Sequence, residues 1–455
     1  MHQRRYFGTD GIRDLANAGN LTPDKVLQIG HAMGRLVREK CPGPSKPIVG
    51  MVRDTRLSGP MIGRILSGAL MAHGVDVYDA GMLPTPAVAY LVRREQWELG
   101  IVISASHNPM PDNGIKLFGT NGRKLSDDLE LEIERYIDQA ASRDVSVTGA
   151  DVGRLTPFRE GEQLYMDAMC QEYFGDLDLN GMKIVIDCAN GSGSRVAPRI
   201  LAALGAEVTQ VNDKPDGLNI NDNAGVFAIG ALAPIIAAEG ADLGLALDGD
   251  GDRVIMMDEK GRTLDGDDIL AMLARGFSAD TPKEERQIVA TVMSNMGLKI
   301  MAAEHGIALH ETAVGDRYVA EKMLQTKAKI GGEQSGHIIF EEDGVWFGDG
   351  LYSALRVVRA MKKEGIPLSK LGDAMEHFPQ VLINVEVSEK PPISEILPLQ
   401  NALRKYQLQL GDAGRILVRY SGTEKLARVM VEGREQAEIH AIAEDLVAVL
   451  KTEIG

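Results

Sequence analysis

The sequence predicts an α/β chain of four domains, three of them related and the last of a different, α+β kind. Two patterns carry that reading. A strand–helix–strand unit recurs three times, each copy with a glycine just past its helix. The stretch after residue 375 breaks the pattern and alternates strands with two helices. Size agrees, since 455 residues correspond to about three domains at roughly 150 residues each.

The first unit spans 47–81, with an apolar strand at 48–52, a polar loop, a helix, Ala72-His73-Gly74, and a strand at 75–78. The second spans 182–211, with strands at 183–187 and 206–211 around the loop Ala189-Asn190-Gly191-Ser192-Gly193, a helix and Ala203-Leu204-Gly205. The third spans 287–314, with strands at 288–293 and 307–309 around Ser294-Asn295, a helix and Glu304-His305-Gly306. Gly74, Gly205 and Gly306 sit where a helix end wants a left-handed residue. A strand, a helix and a strand in succession imply parallel pairing. A single doubly wound sheet is the alternative, and the wide gaps between units count against it. The domain limits expected are 1–150, 151–257, 258–374 and 375–455. The tail reads as a strand at 381–387, a turn at Pro391-Pro392, a helix, strands at 415–419 and 427–432, and a helix at 435–450.

Composition excludes several classes of function. A net charge of −16 disfavours a general nucleic-acid or anionic-membrane binder. Cys41, Cys170 and Cys188 form no C-x-x-C pair, which fits a reducing cytoplasm and no disulfide scaffold. No signal peptide and no apolar run of about 18 residues is read. Glycine is in excess, 50 of 455 residues, so many tight turns or backbone-lined sites are expected.

Four segments carry chemistry. Asp248-Gly-Asp-Gly-Asp-Arg253 follows an apolar strand, and its glycines let three carboxylates curl toward one centre. Three such carboxylates repel unless a cation joins them, and hard oxygen ligands suit Mg²⁺, Ca²⁺ or Mn²⁺. An EF-hand is the alternative, but its sixth loop position is Arg253 where glycine is needed. Ser104-Ala-Ser-His-Asn-Pro109 places a serine on a turn after a strand; a capping serine explains it alone, whereas a phosphoserine would need the cation that the aspartates hold. Gly331-Gly-Glu-Gln-Ser-Gly-His337 offers donors and acceptors for sugar hydroxyls, or is a polar turn. Arg419-Tyr-Ser-Gly-Thr-Glu424 with Arg428 is a phosphate cradle by composition, or a hairpin turn with solvated arginines. Phe7-Gly-Thr-Asp-Gly-Ile-Arg13 and Val314-Gly-Asp-Arg317 are weaker glycine loops, and Lys116 lies ten residues after Ser106, near enough to return to its site.

Taken together, these motifs resemble the α-D-phosphohexomutase superfamily from residue 6 to about residue 433. Thr291-Val-Met-Ser-Asn295, Ala313-Val-Gly-Asp-Arg317 and Gly332-Glu-Gln-Ser-Gly-His337 look like its glucosamine branch. The resemblance implies mixed sheets between helices in the three alike domains and a central cleft. It implies that Ser106 carries a phosphate and, with Asp248, Asp250 and Asp252, holds one Mg²⁺. Glu333 and Ser335 would bind sugar hydroxyls, with Gly315, Asp316 and Arg317 beside them. Arg419, Ser421, Gly422, Thr423 and Arg428 would hold the substrate's distal phosphate. Lys116 and His337 would transfer protons, and Arg13 and Arg253 would stabilise charge. The chain departs from the family pattern at Asp14, Val52, Val226-Phe227, Phe347 and Lys425.

The activity implied is interconversion of glucosamine 6-phosphate and glucosamine 1-phosphate through phosphoserine and glucosamine 1,6-bisphosphate, the latter also an activator, in supply of UDP-N-acetylglucosamine and cell-wall synthesis. The partner expected is a small phosphosugar, with no nucleic acid and no membrane; a homodimer is left open. Lys116 can act as base only with a depressed pKa, toward which Arg13 pushes it. The fourth domain is expected to close over the site on a hinge at 377–381. The rivals are a phosphoglucomutase or phosphomannomutase with the same machinery, a non-catalytic sugar-phosphate sensor, and a phosphatase working through an aspartyl phosphate.

Overall fold

The computed structural model describes residues 4–8, 10–43, 45–139, 147–277, 281–342, 344–421 and 425–455. By compactness the chain forms two units, Met1–Met293 with Ile307–Ala374, and Ser294–Gly306 with Met375–Gly455.

Three sheets build the first unit. Strands β1 (Ile12–Leu15), β2 (Ile48–Arg53), β3 (Asp76–Met82), β4 (Leu99–Ile103), β5 (Asp112–Gly119) and β6 (Leu155–Pro157) lie in the order β1-β5-β4-β2-β3-β6. Strands β7 (Lys183–Asp187), β8 (Glu207–Val211), β9 (Leu243–Leu247), β10 (Val254–Asp258) and β11 (Thr263–Leu264) lie in the order β11-β10-β9-β7-β8. Strands β12 (Gln287–Thr291), β13 (Ala308–Thr312), β14 (Ile330–Gly332), β15 (Ile338–Glu342) and β16 (Val345–Gly348) lie in the order β13-β12-β14-β15-β16.

One four-strand core recurs in all three. The pairs β2–β3, β7–β8 and β12–β13 are parallel, as the strand–helix–strand pattern predicts. So are β2–β4, β7–β9 and β12–β14. The next strand returns through a short loop and must therefore run antiparallel, giving β4–β5, β9–β10 and β14–β15. Strands β4 and β9 are buried along their whole length, as central strands covered on both faces should be. Each carries glycine second, where a Cβ would lie 2.5 Å from Val92 at Gly100 and 2.7 Å from Ile236 at Gly244. That absence of side chain lets the covering helices, Thr85–Arg94 and Ala233–Glu239, pack directly on the backbone.

The second unit holds β17 (Gln380–Glu386), β18 (Gly414–Tyr420) and β19 (Leu426–Gly433), antiparallel in the order β17-β19-β18. Helices Leu397–Leu410 and Gln436–Ile454 cover it around Val385, Val429, Val431, Leu446 and Leu450. Helix Met296–Glu304 belongs here too: Glu432 accepts from the Met296 N–H over 2.9 Å, and Asn295 Nδ2 donates to the Phe378 carbonyl over 2.9 Å. Among the described residues, no helix is long and apolar enough to cross a membrane.

Candidate active site

Three of the four motifs occupy the same connection of the repeated core. The serine loop joins β4 to β5, the aspartate loop β9 to β10, and the Glu333 loop β14 to β15. Strand-end loops positioned by a rigid scaffold are where chemistry collects. Here the repeat brings three of them together.

Ser106 is 1% exposed and has φ +53°, a left-handed conformation that residues with a Cβ avoid. Its Oγ donates to Asp248 Oδ2 over 2.6 Å and lies 3.3 Å from His107 Nδ1. Burial, with Arg253 and then Arg13, pulls the His107 imidazole down to about 4, so it is neutral at pH 7. Phe227, one of the departures from the family pattern, stands 73% exposed with its ring edge-on to His107. Gly249 is required by this meeting of loops, since a Cβ there would lie 2.7 Å from the Ser106 carbonyl oxygen.

Carboxylate oxygens of Asp248, Asp250 and Asp252 lie within 4.8 Å of one another, and all three residues are buried. Burial pushes the Asp248 carboxyl well above the usual range, with Asp252 and Asp250 adding to the effect. Burial opposes ionisation of Asp252 as well, but Lys116 and His337 outweigh it and hold that carboxyl well below the usual range. Asp250 Oδ1 and Asp252 Oδ1 are buried with no hydrogen-bond partner among the described residues. Buried carboxylate oxygens that accept no hydrogen bond, in an all-oxygen donor set, fit a hard divalent cation. Thr85 supports the triplet from the first sheet's domain, its Oγ1 donating to Asp250 Oδ2 over 2.6 Å.

Lys116, on β5, is 1% exposed and reaches Asp250 Oδ2 at 2.7 Å, Asp10 Oδ2 at 3.1 Å and Asp252 Oδ2 at 3.3 Å. Burial and Arg13 do lower its pKa, but the three carboxylates outweigh them and hold the ammonium well above its ordinary value. The depressed Lys116 expected from the sequence is therefore corrected. Lys116 belongs to a closed ring in which acidic and basic side chains alternate. Asp10 pairs with Lys124, Lys124 with Asp316 at 2.5 Å, Asp316 with His337 at 3.6 Å, and His337 with Asp252 at 3.5 Å. Burial disfavours the His337 imidazolium, yet Asp252 and Asp316 outweigh it and raise its pKa. Arg13 pairs with Asp10, and the Arg253 N–H donates to Asp248 Oδ1 over 3.1 Å. The Nε atoms of both arginines are buried without a hydrogen-bond partner among the described residues.

The Glu333 loop is held against the aspartate loop by backbone. Gly336 has φ +90°, and its Cβ would lie 2.2 Å from the Val254 carbonyl oxygen. Glu333 Oε1 accepts from the Gly315 N–H over 3.0 Å, and burial raises its pKa. Ser335 is half-buried on the same loop. Asp316 joins the ring, but Arg317 turns away from it. Its guanidinium forks onto Glu130 at 2.6 and 2.9 Å and also pairs with Asp127, tying the first and third sheets' domains together. A cavity of about 680 Å³ reaches Asp252, Asp316 and His337 past Phe118, Leu125 and Trp346.

In the second unit, Arg419 and Arg428 are direct partners on β18 and β19, so two cations share one face. Like charges in that relation are destabilising on their own and suit an anion. Burial, then Arg428, lowers the Arg419 pKa. Ser421 is 5% exposed, and Lys390 Nζ donates to its carbonyl oxygen over 2.7 Å. Gly422 and Thr423 lie outside the described residues.

Sequence reasoning missed Asp54, Arg56, Thr85, Lys124, Asn221 and Lys390, and used Asp10 only as part of a weak glycine loop. Each is an isolated polar residue on an element distant in sequence from the motif it serves, so spacing gave no signal for most of them. The exception is Arg53-Asp-Thr-Arg56 at the end of an apolar strand, a charged run in a position as informative as that of the aspartate triplet.

Comparison with known proteins agrees with this arrangement. The chain matches the phosphoglucomutase/phosphomannomutase α/β/α domains I, II and III over residues 4–144, 163–261 and 265–378, and the C-terminal domain over 382–449. It is 44% identical over 452 residues to a phosphoglucosamine mutase of Nitratidesulfovibrio vulgaris, covering 99% of each chain. It is 43% identical over 460 residues to a phosphoglucosamine mutase of Anaeromyxobacter dehalogenans, covering 99% of this chain and all of that one. A crystal structure of a phosphoglucomutase/phosphomannomutase family protein from Burkholderia thailandensis superimposes with a TM-score of 0.79 at 25% identity, covering 98% of this chain and 97% of that one. Relatives this similar, over this much of the chain, place it in the phosphoglucosamine mutase family of the α-D-phosphohexomutase superfamily.

Proposed function

We propose that the protein interconverts glucosamine 6-phosphate and glucosamine 1-phosphate, with Ser106 as the phosphate carrier. The observation that supports this most is the contact of Ser106 Oγ with the buried aspartate triplet, in a chain so similar to proteins named phosphoglucosamine mutase.

On this reading phosphoserine 106 gives its phosphoryl group to the free sugar hydroxyl. The resulting glucosamine 1,6-bisphosphate reverses in the site and returns its other phosphate to Ser106 Oγ. Transfer of this kind depends on alignment and charge neutralisation more than on covalent chemistry by the protein. Asp248, Asp250 and Asp252, with the Ser106 phosphate, would hold Mg²⁺, which when bound neutralises charge on the transferring group. Lys116, set against Asp10, Asp250 and Asp252, is one proton-transfer candidate, since a cation on the aspartates would weaken the carboxylates' hold on its proton. His337, between Asp252 at 3.5 Å and Asp316 at 3.6 Å, is the other proton-transfer candidate. Arg13 and Arg253, whose buried Nε atoms make no hydrogen bond among the described residues, would offer donors to the phosphoryl oxygens. Glu333 and Ser335 take sugar hydroxyls, while Arg419, Ser421, Gly422, Thr423 and Arg428 take the distal phosphate.

The sugar assignment is tested by kcat/KM on the 6-phosphates of glucosamine, glucose and mannose. The reading expects glucosamine to lead; equal or better turnover of glucose or mannose phosphate would move the protein to another branch of the same superfamily.

A further inference from the structure

We propose that Arg56, together with Asn221, is a positioning clamp that holds Ser106 in its left-handed conformation and so aims the phosphate-carrying oxygen. The inference deepens the mutase reading and rests on it for its kinetic consequences.

A left-handed, non-glycine residue persists only where its surroundings over-determine it. At Ser106 they do so from both sides of the residue. Its N–H donates to Ser104 Oγ over 2.8 Å. Its carbonyl oxygen accepts from Arg56 Nη2 at 3.0 Å and from Asn221 Nδ2 at 2.9 Å. The same two residues share a second acceptor, the Asn108 carbonyl oxygen, at 2.8 and 3.1 Å. Arg56 Nη1 donates further to the Pro109 carbonyl. One guanidinium thus collects three carbonyls of the serine loop, and an amide from the loop between β8 and β9 duplicates two of those bonds.

Asp54 aims the guanidinium. It accepts from Arg56 Nε at 2.9 Å and from the Arg56 N–H at 2.9 Å, and it takes Ser104 Oγ at 2.6 Å. Both groups flanking Ser106 are therefore set by one ion pair whose side chains are fully buried. The bonds of Ser106 Oγ itself run to Asp248 and His107, so Arg56 acts through the backbone and not on the reacting atom.

The consequence is chemical. As the Oγ–P bond of phosphoserine breaks, a P–O bond to the sugar hydroxyl forms and the hydroxyl proton passes to the protein. A proton ends on Ser106 Oγ; in the return half Oγ gives it up as Oγ–P reforms, and the sugar oxygen takes a proton as its bond to phosphorus breaks. Both halves need Oγ in line with phosphorus. A loosened Ser106 slows the return, and the bisphosphate escapes before its second transfer.

The test compares wild type with Arg56→Lys, which keeps the charge but cannot fork onto three carbonyls, and with Asn221→Gly, which removes the amide, suits the left-handed φ of +59° at that position and leaves the buried ion pair in place. A kcat lower by about 100-fold in Arg56→Lys is expected, with KM for glucosamine 6-phosphate nearly unchanged. The concentration of glucosamine 1,6-bisphosphate needed for half-maximal activation should rise in both variants, and thermal unfolding of Asn221→Gly should stay near that of wild type. A crystal structure of Arg56→Lys should show Ser106 out of the left-handed region. Retention of φ near +53° in that variant, or wild-type kcat with unchanged bisphosphate dependence, overturns the clamp. The structural readout needs no activity, so a wild-type protein without mutase activity would count against the functional reading alone.

Discussion

Ser106 Oγ donates a 2.6 Å hydrogen bond to Asp248 Oδ2, so the loop after β4 and the loop after β9 meet at a single carboxylate oxygen. Equivalent loops of two copies of one repeat thereby supply the phosphate carrier and the cation ligands. Burial and the neighbouring carboxylates raise the Asp248 pKa, and a cation held among them would lower it again.

Cation binding should therefore release protons. Calorimetric titration of Mg²⁺ in two buffers of different ionisation enthalpy should give different apparent heats, and saturating Mg²⁺ should raise Tm. Asp252→Asn should abolish both effects. Identical heats in both buffers, together with Mg²⁺ binding that survives Asp252→Asn, would argue against the triplet as the binding site.

Gly249→Ala should separate the two loops, because its Cβ would sit 2.7 Å from the Ser106 carbonyl oxygen and 2.8 Å from Asn221 Nδ2. With φ outside the left-handed region the chain itself tolerates alanine, so the protein should fold. Steady-state assays should show kcat down about 100-fold, the scale set by a misplacement of about 1 Å. Full activity would show that the loops need not touch.

Arg317 should prove to be a tie between domains and not a ligand for substrate. Arg317→Ala takes the forked partner from buried Glu130, which keeps only Arg4 at 3.2 Å, and should cost about 1–3 kcal/mol in urea unfolding. Arg317→Met with Glu130→Met should recover much of that loss. If the single variant instead kept its stability and raised KM, the substrate-binding role first read from the sequence would be restored.

Acid should weaken the first sheet's domain through His73. Burial pulls its imidazole down to about 4, with His31 and Arg35 adding to the effect, and His31 Nδ1 lies 3.2 Å from its Nε2. Because the folded pKa lies below the unfolded value of about 6.5, this contribution is complete above pH 6.5 and is lost as pH falls toward 4. Thermal melts of His73→Gln should depend less on pH across that window; an unchanged slope would place the acid sensitivity elsewhere.

Much of this was legible in the sequence because the repeat is written in local pattern. The apolar runs at 183–187 and 243–247 predict strands with the limits the structure shows, since a continuous apolar run that ends at aspartate has few other readings. Gly74, Gly205 and Gly306 follow their helices with positive φ, as their positions predict. Strand β1 escaped notice: Ile12-Arg-Asp-Leu15 has one buried residue and joins the sheet only through β5. Lys116 was placed correctly near Ser106, but its charge state depends on Asp10, 106 residues earlier, and on two aspartates of another domain. Sequence spacing identifies the groups that carry the chemistry; the buried groups that aim and charge them are brought in by tertiary packing.

The central claim is most directly tested by intact mass and phosphosite mapping of the purified protein, paired with Ser106→Ala assayed on glucosamine 6-phosphate. The account predicts a single acid-stable phosphate on Ser106 and a variant that carries none and fails to form glucosamine 1-phosphate. A fully active Ser106→Ala enzyme, or phosphate on Asp248 in place of the serine, would contradict it.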